Sequence, residues 1–368
     1  MSETFTTTFD QLEQILPHLF DEGQSTELLS HPGRGKSEFI EHTMIPLMSA
    51  RDKKPWGFAC AMLATYTPPD LIGYQFKGEK LMGGRMVSVT DPTMPLWMIT
   101  RDGKAIWEYE RGILFLDEFG QAEGDVKRAA ADLFLNRRIG PWQLPHGWVV
   151  VAASNLLSSR SGVTKSFDFI INRRAEFHIQ DDLQSLLKWM SKNDIGVEFT
   201  SFTEAYTEIV FAEGVPDKQG PWTTPRSLVK VARVLDRMRD DKGFIPTDKT
   251  ATRIASAWLG IEHAAQLMTH IKLGTEMPAV EDIIRDPDGT RVPPKPDAQM
   301  LVVHRLAHEV TEKTAKPIIQ YVERMPKDFA VSFCRAACRR NSKLVYADAF
   351  DAWMDRNGSL MAAITDVR

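Results

Sequence analysis

Residues Ser30–Ser37 read SHPGRGKS, which is the spacing of a loop that joins a buried strand to a helix and binds phosphate groups. Gly33 and Gly35 allow the backbone to approach phosphate oxygens closely, and the start of the following helix offers unpaired N–H groups. In such a loop Lys36 reaches the β- and γ-phosphates of a nucleotide, and the Ser37 hydroxyl binds Mg²⁺. The stretch therefore predicts an α/β fold with a nucleotide site at one edge of a parallel sheet.

Three other residues of the loop complete the candidate phosphate site. Pro32 and Arg34 lie between the two ends of the motif and are expected to contribute to the cradle. Ser30 stands where loops of this type begin with Gly, so the entry turn loses its most permissive residue. Because this position shapes the turn rather than touching the transferred phosphate, nucleotide binding is expected to survive, and the effect on affinity stays open.

Two predicted buried strands that follow the loop in the chain end in polar residues. The run ILFLDEF ends in Asp117 and Glu118, and the run VVVAASN ends in Asn155. Continuous apolar runs of this length are typical of strands buried on both faces, and their carboxyl ends lie beside the phosphate loop in such sheets. We expect Asp117 to hold Mg²⁺ and Glu118 to orient and deprotonate the attacking water. Asn155 can position that water or sense the γ-phosphate, although Asn also often simply ends a strand.

The rest of the pattern divides the chain into an α/β core and a helical remainder. Helical spacing is predicted over about 9–20 and 37–48, and a strand over 57–65. A Gly-, Pro- and Met-rich insertion then extends to about residue 107. From about residue 181 the apolar spacing is helical throughout. We predict an α/β core over 1–181, a helical lid over 182–275, a Pro-rich connector over 276–298 and a C-terminal helical domain over 299–368.

Composition is that of a globular protein and restricts the classes of function. The 368 residues are 43% hydrophobic and 26% charged, with 45 basic and 49 acidic residues and a net charge of −4. This balance gives no overall attraction to nucleic acid. No apolar run is long enough to span a membrane, and the N-terminus lacks the pattern of a signal peptide, so a cytoplasmic location is expected. Cys334 and Cys338 lie four apart on an apparent helix and are expected to be small core residues rather than metal ligands.

Several motifs together carry a family resemblance. In chain order they are SHPGRGKS (30–37), TPPDLIG (67–73), the strand ending in Asp117 and Glu118, LFLNRRIGPWQLPHGWVVVAASN (133–155), INRR (171–174) and TPR (224–226). With these motifs the chain resembles AAA+ ATPases, and specifically those of the MoxR type. VERMPKDFAVSFCRAACRR (322–340) and ADAFDAWMDRNG (347–358) also resemble the tail of a subgroup of these ATPases. The resemblance implies a P-loop AAA+ αβα sandwich with a parallel sheet, followed by an α-helical lid and a C-terminal helical domain.

The resemblance also implies roles for two arginines and an assembly. It implies a ring, usually a hexamer, that binds ATP and Mg²⁺ at its subunit interfaces. Arg173 matches the arginine that a neighbouring subunit inserts toward the γ-phosphate, and Arg226 matches the sensor arginine of the lid. Arg174 stands where an apolar residue commonly follows, so Arg174 and Arg137 or Arg138 remain competitors for the trans-acting role.

Two insertions of the family reach toward the pore of the ring. One corresponds to about 84–107, where Met94, Leu96, Trp97 and Met98 either contact a partner or pack inside the fold. The other corresponds to IGPWQLPHGW, with Pro145, His146 and Gly147 expected as its turn. His146 and His31 are expected to shape turns rather than to act as acids or bases.

Three functions are compatible with these features. The first is a ring-forming ATPase that remodels or activates a protein partner, for which the resemblance implies a client or a partner with a von Willebrand factor A domain. The second is a motor or loader that acts on nucleic acid. Its basic candidates are Arg233, Arg237 and Arg239 on the lid and Arg335, Arg339, Arg340 and Lys343 in the C-terminal domain. The third is a nucleotide-binding scaffold with little turnover.

Overall fold

The computed structural model describes residues 5–156, 163, 168–212, 216, 219–241, 243–274 and 277–357, with the backbone alone at 168 and 169. The described residues form two compact units, one ending at Asp181 and the other beginning at Asp182. The predicted boundary at 275 and 276 and the end of the C-terminal domain at 358–368 lie outside the described residues.

A six-stranded sheet forms the centre of the first unit. Its strands are β1 (Thr6–Thr7), β2 (Thr26–Ser30), β3 (Trp56–Met62), β6 (Arg111–Asp117), β9 (Trp148–Asn155) and β10 (Ala175–Ile179). They are all parallel, in the order β1-β10-β2-β9-β6-β3. The connection after β2 leads toward β3, and the connection after its neighbour β9 leads in the opposite direction, to β10. The carboxyl ends of β2 and β9 therefore lie where ligands bind in open parallel sheets.

Two helical layers cover the sheet. The helices are α1 (Phe9–Asp21), α2 (Lys36–Phe39), α3 (Ile45–Asp52), α4 (Pro68–Ile72), α5 (Gly124–Asn136) and α6 (Asp168–Ile171), and a π-helical turn at Ile40–Met44 joins α2 to α3. One face of the sheet packs with α1 and the α2–α3 segment, through residues such as Leu16, Leu28 and Met44. The other face packs with α5, through residues such as Leu116 and Phe134. The predicted α/β class is confirmed.

The apolar periodicity of the sequence predicts most of these elements, but one strand ends earlier than predicted. The helix expected over 9–20 is α1, and the two apolar runs form β6 and β9. The strand expected over 57–65 ends at Met62, because Leu63–Thr65 turn as a 3-10 helix and bury Leu63 in the core.

Two antiparallel hairpins lie between these elements in the chain. The longer one, β4 (Gln75–Met82) and β5 (Arg85–Pro92), begins nine residues before the insertion expected at about 84. Its turn residues Gly83 and Gly84 both have positive φ, as a two-residue type I′ turn requires.

The shorter hairpin differs from its expected turn. Its strands are β7 (Arg138–Ile139) and β8 (Trp142–Gln143), so the chain reverses at Gly140 and Pro141 rather than at 145–147. Residues 145–147 instead lead into β9, where the carbonyl of Pro145 accepts a hydrogen bond from the Trp148 N–H.

The second unit is helical. Its helices are α7 (Leu183–Lys192), α8 (Val197–Ala205), α9 (Thr207–Val210), α10 (Pro225–Asp236), α11 (Lys249–Leu259), α12 (Ile261–Leu273), α13 (Val280–Arg285), α14 (Pro296–Glu309), α15 (Ala315–Val322), α16 (Lys327–Arg340) and α17 (Asp348–Arg356). One hydrophobic cluster lies among α7–α12 and a second among α13–α17, and α8 packs against α14. Cys334 and Cys338 are buried in the second cluster, as expected.

The connector expected over 276–298 contains a helix of its own. Val280 and Ile283 of α13 are buried in the C-terminal cluster. Among the described residues, no helix combines the length and the apolar composition needed to cross a membrane.

Candidate functional site: a phosphate-binding loop at the carboxyl edge of the sheet

The phosphate-type loop follows β2 and precedes α2, as the sequence predicts. Gly33 has a φ of 76° and Gly35 a φ of 92°, values that favour glycine over residues with a side chain. Gly35 is the N-cap of α2, so the first N–H groups of the helix lack intrahelical partners and face the loop. Lys36 and Ser37 are the first two residues of this helix. The backbone is therefore arranged to receive an anion.

The Lys36 ammonium connects two strand ends. Its Nζ lies 2.9 Å from Ser30 Oγ and 3.1 Å from Asn155 Oδ1, and the Lys36 residue is only 8% exposed. Ser30 and Asn155 are opposite one another in the β2–β9 ladder, which explains how one ammonium reaches both. The structure thus joins the loop to Asn155, which lies 119 positions after Lys36 in the sequence.

Ser37 and Asp117 form a second contact at the same edge. Ser37 Oγ donates to Asp117 Oδ2 at 2.7 Å, and Asp117 is the last residue of β6. A hydroxyl and a carboxylate side by side are hard oxygen ligands, which fit Mg²⁺ when water and phosphate oxygens complete the shell. Within the described residues, no group of three or more His, Cys, Asp and Glu side chains could hold a metal on its own.

Glu118 follows Asp117 in an unusual backbone conformation. Its φ is 55° and its ψ is 31°, which is the left-handed region that a non-glycine residue rarely adopts. The Glu118 N–H donates to Asp117 Oδ1 at 2.9 Å, and a 3-10 turn at Phe119–Gln121 follows. This turn ends β6 and leaves Glu118 partly exposed, directly after Asp117 in the chain. Strain of this kind is concentrated at functional sites.

Arg34 and Pro32 are the two remaining loop residues of the predicted phosphate site. The side chain of Arg34 is buried and forms an ion pair with Asp181, with Nε and Oδ1 2.6 Å apart. Its guanidinium therefore belongs to the ion pair, and its N–H group remains the part that can face a phosphate. Pro32 is partly buried in the turn before Gly33.

The four arginines considered for the trans-acting role have different environments. The side chain of Arg174 is 1% exposed and forms an ion pair with Glu27, so it lies inside the first unit. Arg137 has positive φ and donates to the carbonyls of Pro145, His146 and Trp148, which fixes the loop before β9. Both are structural residues of the first unit.

Arg138 and Arg173 remain the accessible pair. Arg138 donates to Asp132 at 2.8 Å with its side chain 57% exposed. Arg173 is partly exposed, and its charge helps to lower the pKa of Asp132, after the larger effect of the hydrogen bond from Arg138. Both cations therefore lie near the same carboxylate of α5.

Arg226 belongs to the helical unit. It follows Pro225 at the start of α10, where Thr224 accepts a hydrogen bond from the Ser227 N–H and caps the helix. Its side chain is exposed. The helix begins where the TPR motif predicts, and the sensor role of Arg226 stays a prediction.

The apolar insertion residues divide into two pairs. Trp97 is fully buried and donates its indole N–H to the Leu71 carbonyl, and Met98 is 4% exposed. These two pack inside the fold and cannot contact a partner. Leu96 is 75% exposed and Met94 41% exposed, so the second pair remains accessible.

The structure also contains a cluster of buried polar and charged side chains that the sequence analysis does not predict. It consists of Glu27 on β2, Ser154 on β9, Lys127 on α5 and Arg174 before β10, and all four are buried or have buried side chains. We call these residues the Glu27 cluster. Glu27 in the apolar strand TELLS and Lys127 among the buried positions of α5 are sequence signals of buried charges, but they do not indicate which residues these charges contact.

Comparisons with known proteins assign no family. No protein-family model and no curated protein matches the chain. Among solved structures, a variant of RuvB from Thermotoga maritima has 13% identity and a TM-score of 0.37, covering 75% of this chain and 74% of its own. NtrX from Brucella abortus in complex with ATP has 11% identity and a TM-score of 0.31, covering 98% of this chain and 69% of its own. Values this low are insufficient to carry function from these proteins to the chain.

Proposed function

We propose that the chain is an ATP hydrolase of the AAA+ type that uses Mg²⁺. The observation that carries this proposal is the meeting of three strand ends with the phosphate loop. Lys36 contacts Ser30 and Asn155, and Ser37 contacts Asp117. A lysine, a hydroxyl, a carboxylate and an amide in this arrangement are the parts that phosphoryl transfer from a nucleotide requires.

Binding of the triphosphate uses the loop and the start of α2. The N–H groups beyond Gly33 and Gly35 bind phosphate oxygens, and the dipole of the helical segment favours their negative charge. The Lys36 ammonium exchanges the Ser30 hydroxyl for β- and γ-phosphate oxygens. Its second contact, the Asn155 amide, then lies close to the γ-phosphate.

Hydrolysis is assigned to Asp117, the last residue of β6, and to Glu118, which follows it. Ser37 and Asp117 would hold Mg²⁺, which neutralises charge on the phosphates when it is bound. Glu118 accepts a proton from the attacking water and orients it. Glu118 is partly exposed, so water can reach it.

A neighbouring subunit completes the site in this proposal. Arg173 is the candidate for the trans-acting arginine, because the family resemblance matches it to that role and its side chain is partly exposed. Arg174 and Arg137 have partners inside the first unit, and Arg138, which is also exposed, remains the alternative. Arginines of this kind contribute about 10³- to 10⁵-fold to the rate of phosphoryl transfer. The proposed assembly is therefore a ring, for which the family resemblance suggests a hexamer, with Arg226 as the sensor arginine of the lid.

Exposed apolar residues on the β4–β5 hairpin support a protein as the substrate of the proposed ring. Leu81, Met82 and Met86 near its tip are 59–70% exposed, and Phe76 at its base is 60% exposed. An exposed apolar hairpin of this kind is suited to contact an apolar segment of a protein. A protein client, or a partner with a von Willebrand factor A domain, is accordingly the proposed partner.

Nucleic acid is less well supported as the substrate. Arg239 is bound by Glu198 and Asp236 at 2.7–2.9 Å, and Arg340 lies 3.9 Å from Asp194. These acids partly neutralise the basic residues that a nucleic-acid surface would need. The protein-directed function is therefore the one proposed.

Titration calorimetry with MgATP tests the nucleotide site. The full chain is expected to bind ATP, and Lys36→Ala is expected to weaken binding at least about 100-fold, because it removes the cation that pairs with the phosphates. Lys77→Ala, which removes an exposed lysine of the hairpin, is the matched control and should bind as the unaltered chain does. Equal affinity of the Lys36 and Lys77 variants would contradict the proposed site.

A further inference from the structure

Glu27 and Arg174 form an ion pair inside the first unit. Their side chains are 2% and 1% exposed, and Arg174 Nε donates to Glu27 Oε2 at 2.5 Å. The other carboxylate oxygen of Glu27 accepts a hydrogen bond from the Ser154 hydroxyl. The pair therefore joins β2, which leads into the phosphate loop, to β9, which ends in Asn155, and to the turn before β10.

The same guanidinium lies against the turn that carries Glu118. The Arg174 guanidinium carbon is 5.5 Å from the centre of the Phe119 ring and 5.7 Å from that of Phe134. Lys127 donates to the Gly120 carbonyl at 2.8 Å, and burial lowers the pKa of Lys127. The Glu27 cluster thus contacts the segment immediately after Glu118 from two sides.

The backbone around Arg173 is fixed by hydrogen bonds of its neighbours in the chain. Arg173 lies in the short turn between α6 and β10, where its N–H donates to the Ile170 carbonyl and the Ala175 N–H donates to the Ser25 carbonyl. The next side chain, Arg174, is locked by Glu27. A change at Glu27 would therefore release the turn that presents Arg173.

We propose that Glu27 and Arg174 are positioning residues that hold Arg173 in place for the active site of the adjacent subunit. This inference rests on the proposed function, in which Arg173 acts in trans. The pair sets the turn on one side and contacts Phe119, next to Glu118, on the other.

A buried ion pair is not by itself required for stability. Replacing such a pair by apolar residues of similar volume is often neutral or stabilising, whereas removing one partner leaves an uncompensated charge. The Glu27–Arg174 pair can therefore have a geometric role that is separate from stability.

The test is complementation between two defective subunits. Glu27→Gln alone should lower kcat for ATP hydrolysis at least about 10-fold, with the ATP dissociation constant changed less than about threefold, because the loop and Lys36 remain intact. Glu118→Gln alone should be inactive but should still offer a correctly placed Arg173. Equal mixing with subunit exchange should restore about one quarter of the wild-type rate, since a Glu27→Gln site then receives Arg173 from a Glu118→Gln neighbour.

Arg173→Ala mixed with Glu118→Gln is the matched control. If this control mixture regains activity and the Glu27→Gln mixture does not, Glu27 acts within its own site and the proposed positioning role is overturned. If the control mixture also stays inactive, the trans role of Arg173 in the proposed function fails, and the inference fails with it. A wild-type kcat for Glu27→Gln alone would likewise overturn the role.

A double variant separates positioning from folding. Glu27→Leu with Arg174→Met replaces the charged pair by apolar side chains and should retain the cooperative unfolding of the wild-type chain. The double variant alone should nevertheless lose ATP hydrolysis. An equal mixture of the double variant with Glu118→Gln subunits should restore it, as the mixture with Glu27→Gln does. Full activity of a folded double variant would overturn the proposal.

Discussion

Ser30 occupies the first position of the loop, where Gly is usual, and the structure explains why a serine is compatible with it. Ser30 is the last residue of β2, and its carbonyl accepts a hydrogen bond from the Leu156 N–H at 3.1 Å. A strand residue does not need the backbone freedom of glycine. Its hydroxyl instead donates to the His31 carbonyl and accepts from Lys36. The departure from the motif therefore leaves the loop geometry intact.

Ser30→Ala tests whether this hydroxyl competes with the nucleotide for Lys36. Removing it deletes one contact that Lys36 must give up when ATP binds, so we expect ATP binding to become tighter, by up to about 10-fold. Calorimetry with MgATP measures the change, and Ser88→Ala on the exposed hairpin is the control. Binding weakened more than about 10-fold would indicate that the Ser30 hydroxyl contacts the nucleotide itself.

At the residue level, the motif residues could be predicted and the Glu27 cluster could not. Lys36, Ser37, Asp117 and Asn155 are predictable because loop spacing and strand ends place them at one edge of a parallel sheet. The Glu27–Arg174 pair depends on two residues 147 positions apart that meet only through the register of β2 and β10. Sequence spacing contains no information about that register, so Arg174 remained a competitor for the trans-acting role.

Among the elements, apolar periodicity predicts the buried ones well and the exposed hairpin poorly. The strands β6 and β9 and the helices α1 and α10 lie where their apolar positions predict. The β4–β5 hairpin has mostly exposed residues on both faces, so no core-facing pattern marks its start at Gln75. Burial of Trp97 depended on a contact with α4, through the Leu71 carbonyl, that local sequence does not reveal.

Packing of α8 against α12 predicts a dependence of stability on pH. His270 on α12 is 1% exposed, with Nε2 2.7 Å from Ser201 Oγ on α8, and burial lowers its pKa to about 4. Its usual pKa is about 6.5, so between pH 6.5 and 4 the unfolded chain binds a proton that the folded chain does not. Stability is therefore lost as the pH falls through this range, by about 2 kcal/mol between pH 7 and pH 5.

Urea unfolding of wild type and His270→Gln at the two pH values measures this effect. Glutamine keeps a hydrogen-bonding partner for Ser201 and does not titrate, so the variant should lose about 2 kcal/mol less than wild type on acidification. His146→Gln, at an exposed histidine, should behave as wild type does. The same loss in His270→Gln as in wild type would show that His270 does not account for it.

At the scale of the whole molecule, the residues of the proposed ATPase site are divided between two compact units. The first contains the loop, the acids of β6, Asn155 and Arg173, and the second contains Arg226 on α10. The α/β class and the helical remainder were predictable, because buried parallel strands and amphipathic helices have different apolar periods. The packing of α8 against α14 within one helical unit was not, because it joins residues about a hundred positions apart.

The central claim is that this chain hydrolyses ATP with Glu118 as the base. Steady-state phosphate release from MgATP, measured for wild type, Glu118→Gln and the exposed-site control Glu110→Gln, tests it most directly. We expect turnover by wild type and by the control, and loss of at least about 100-fold in Glu118→Gln while ATP binding is kept. Absence of turnover by the assembled wild-type chain, or wild-type turnover by Glu118→Gln, would contradict the account.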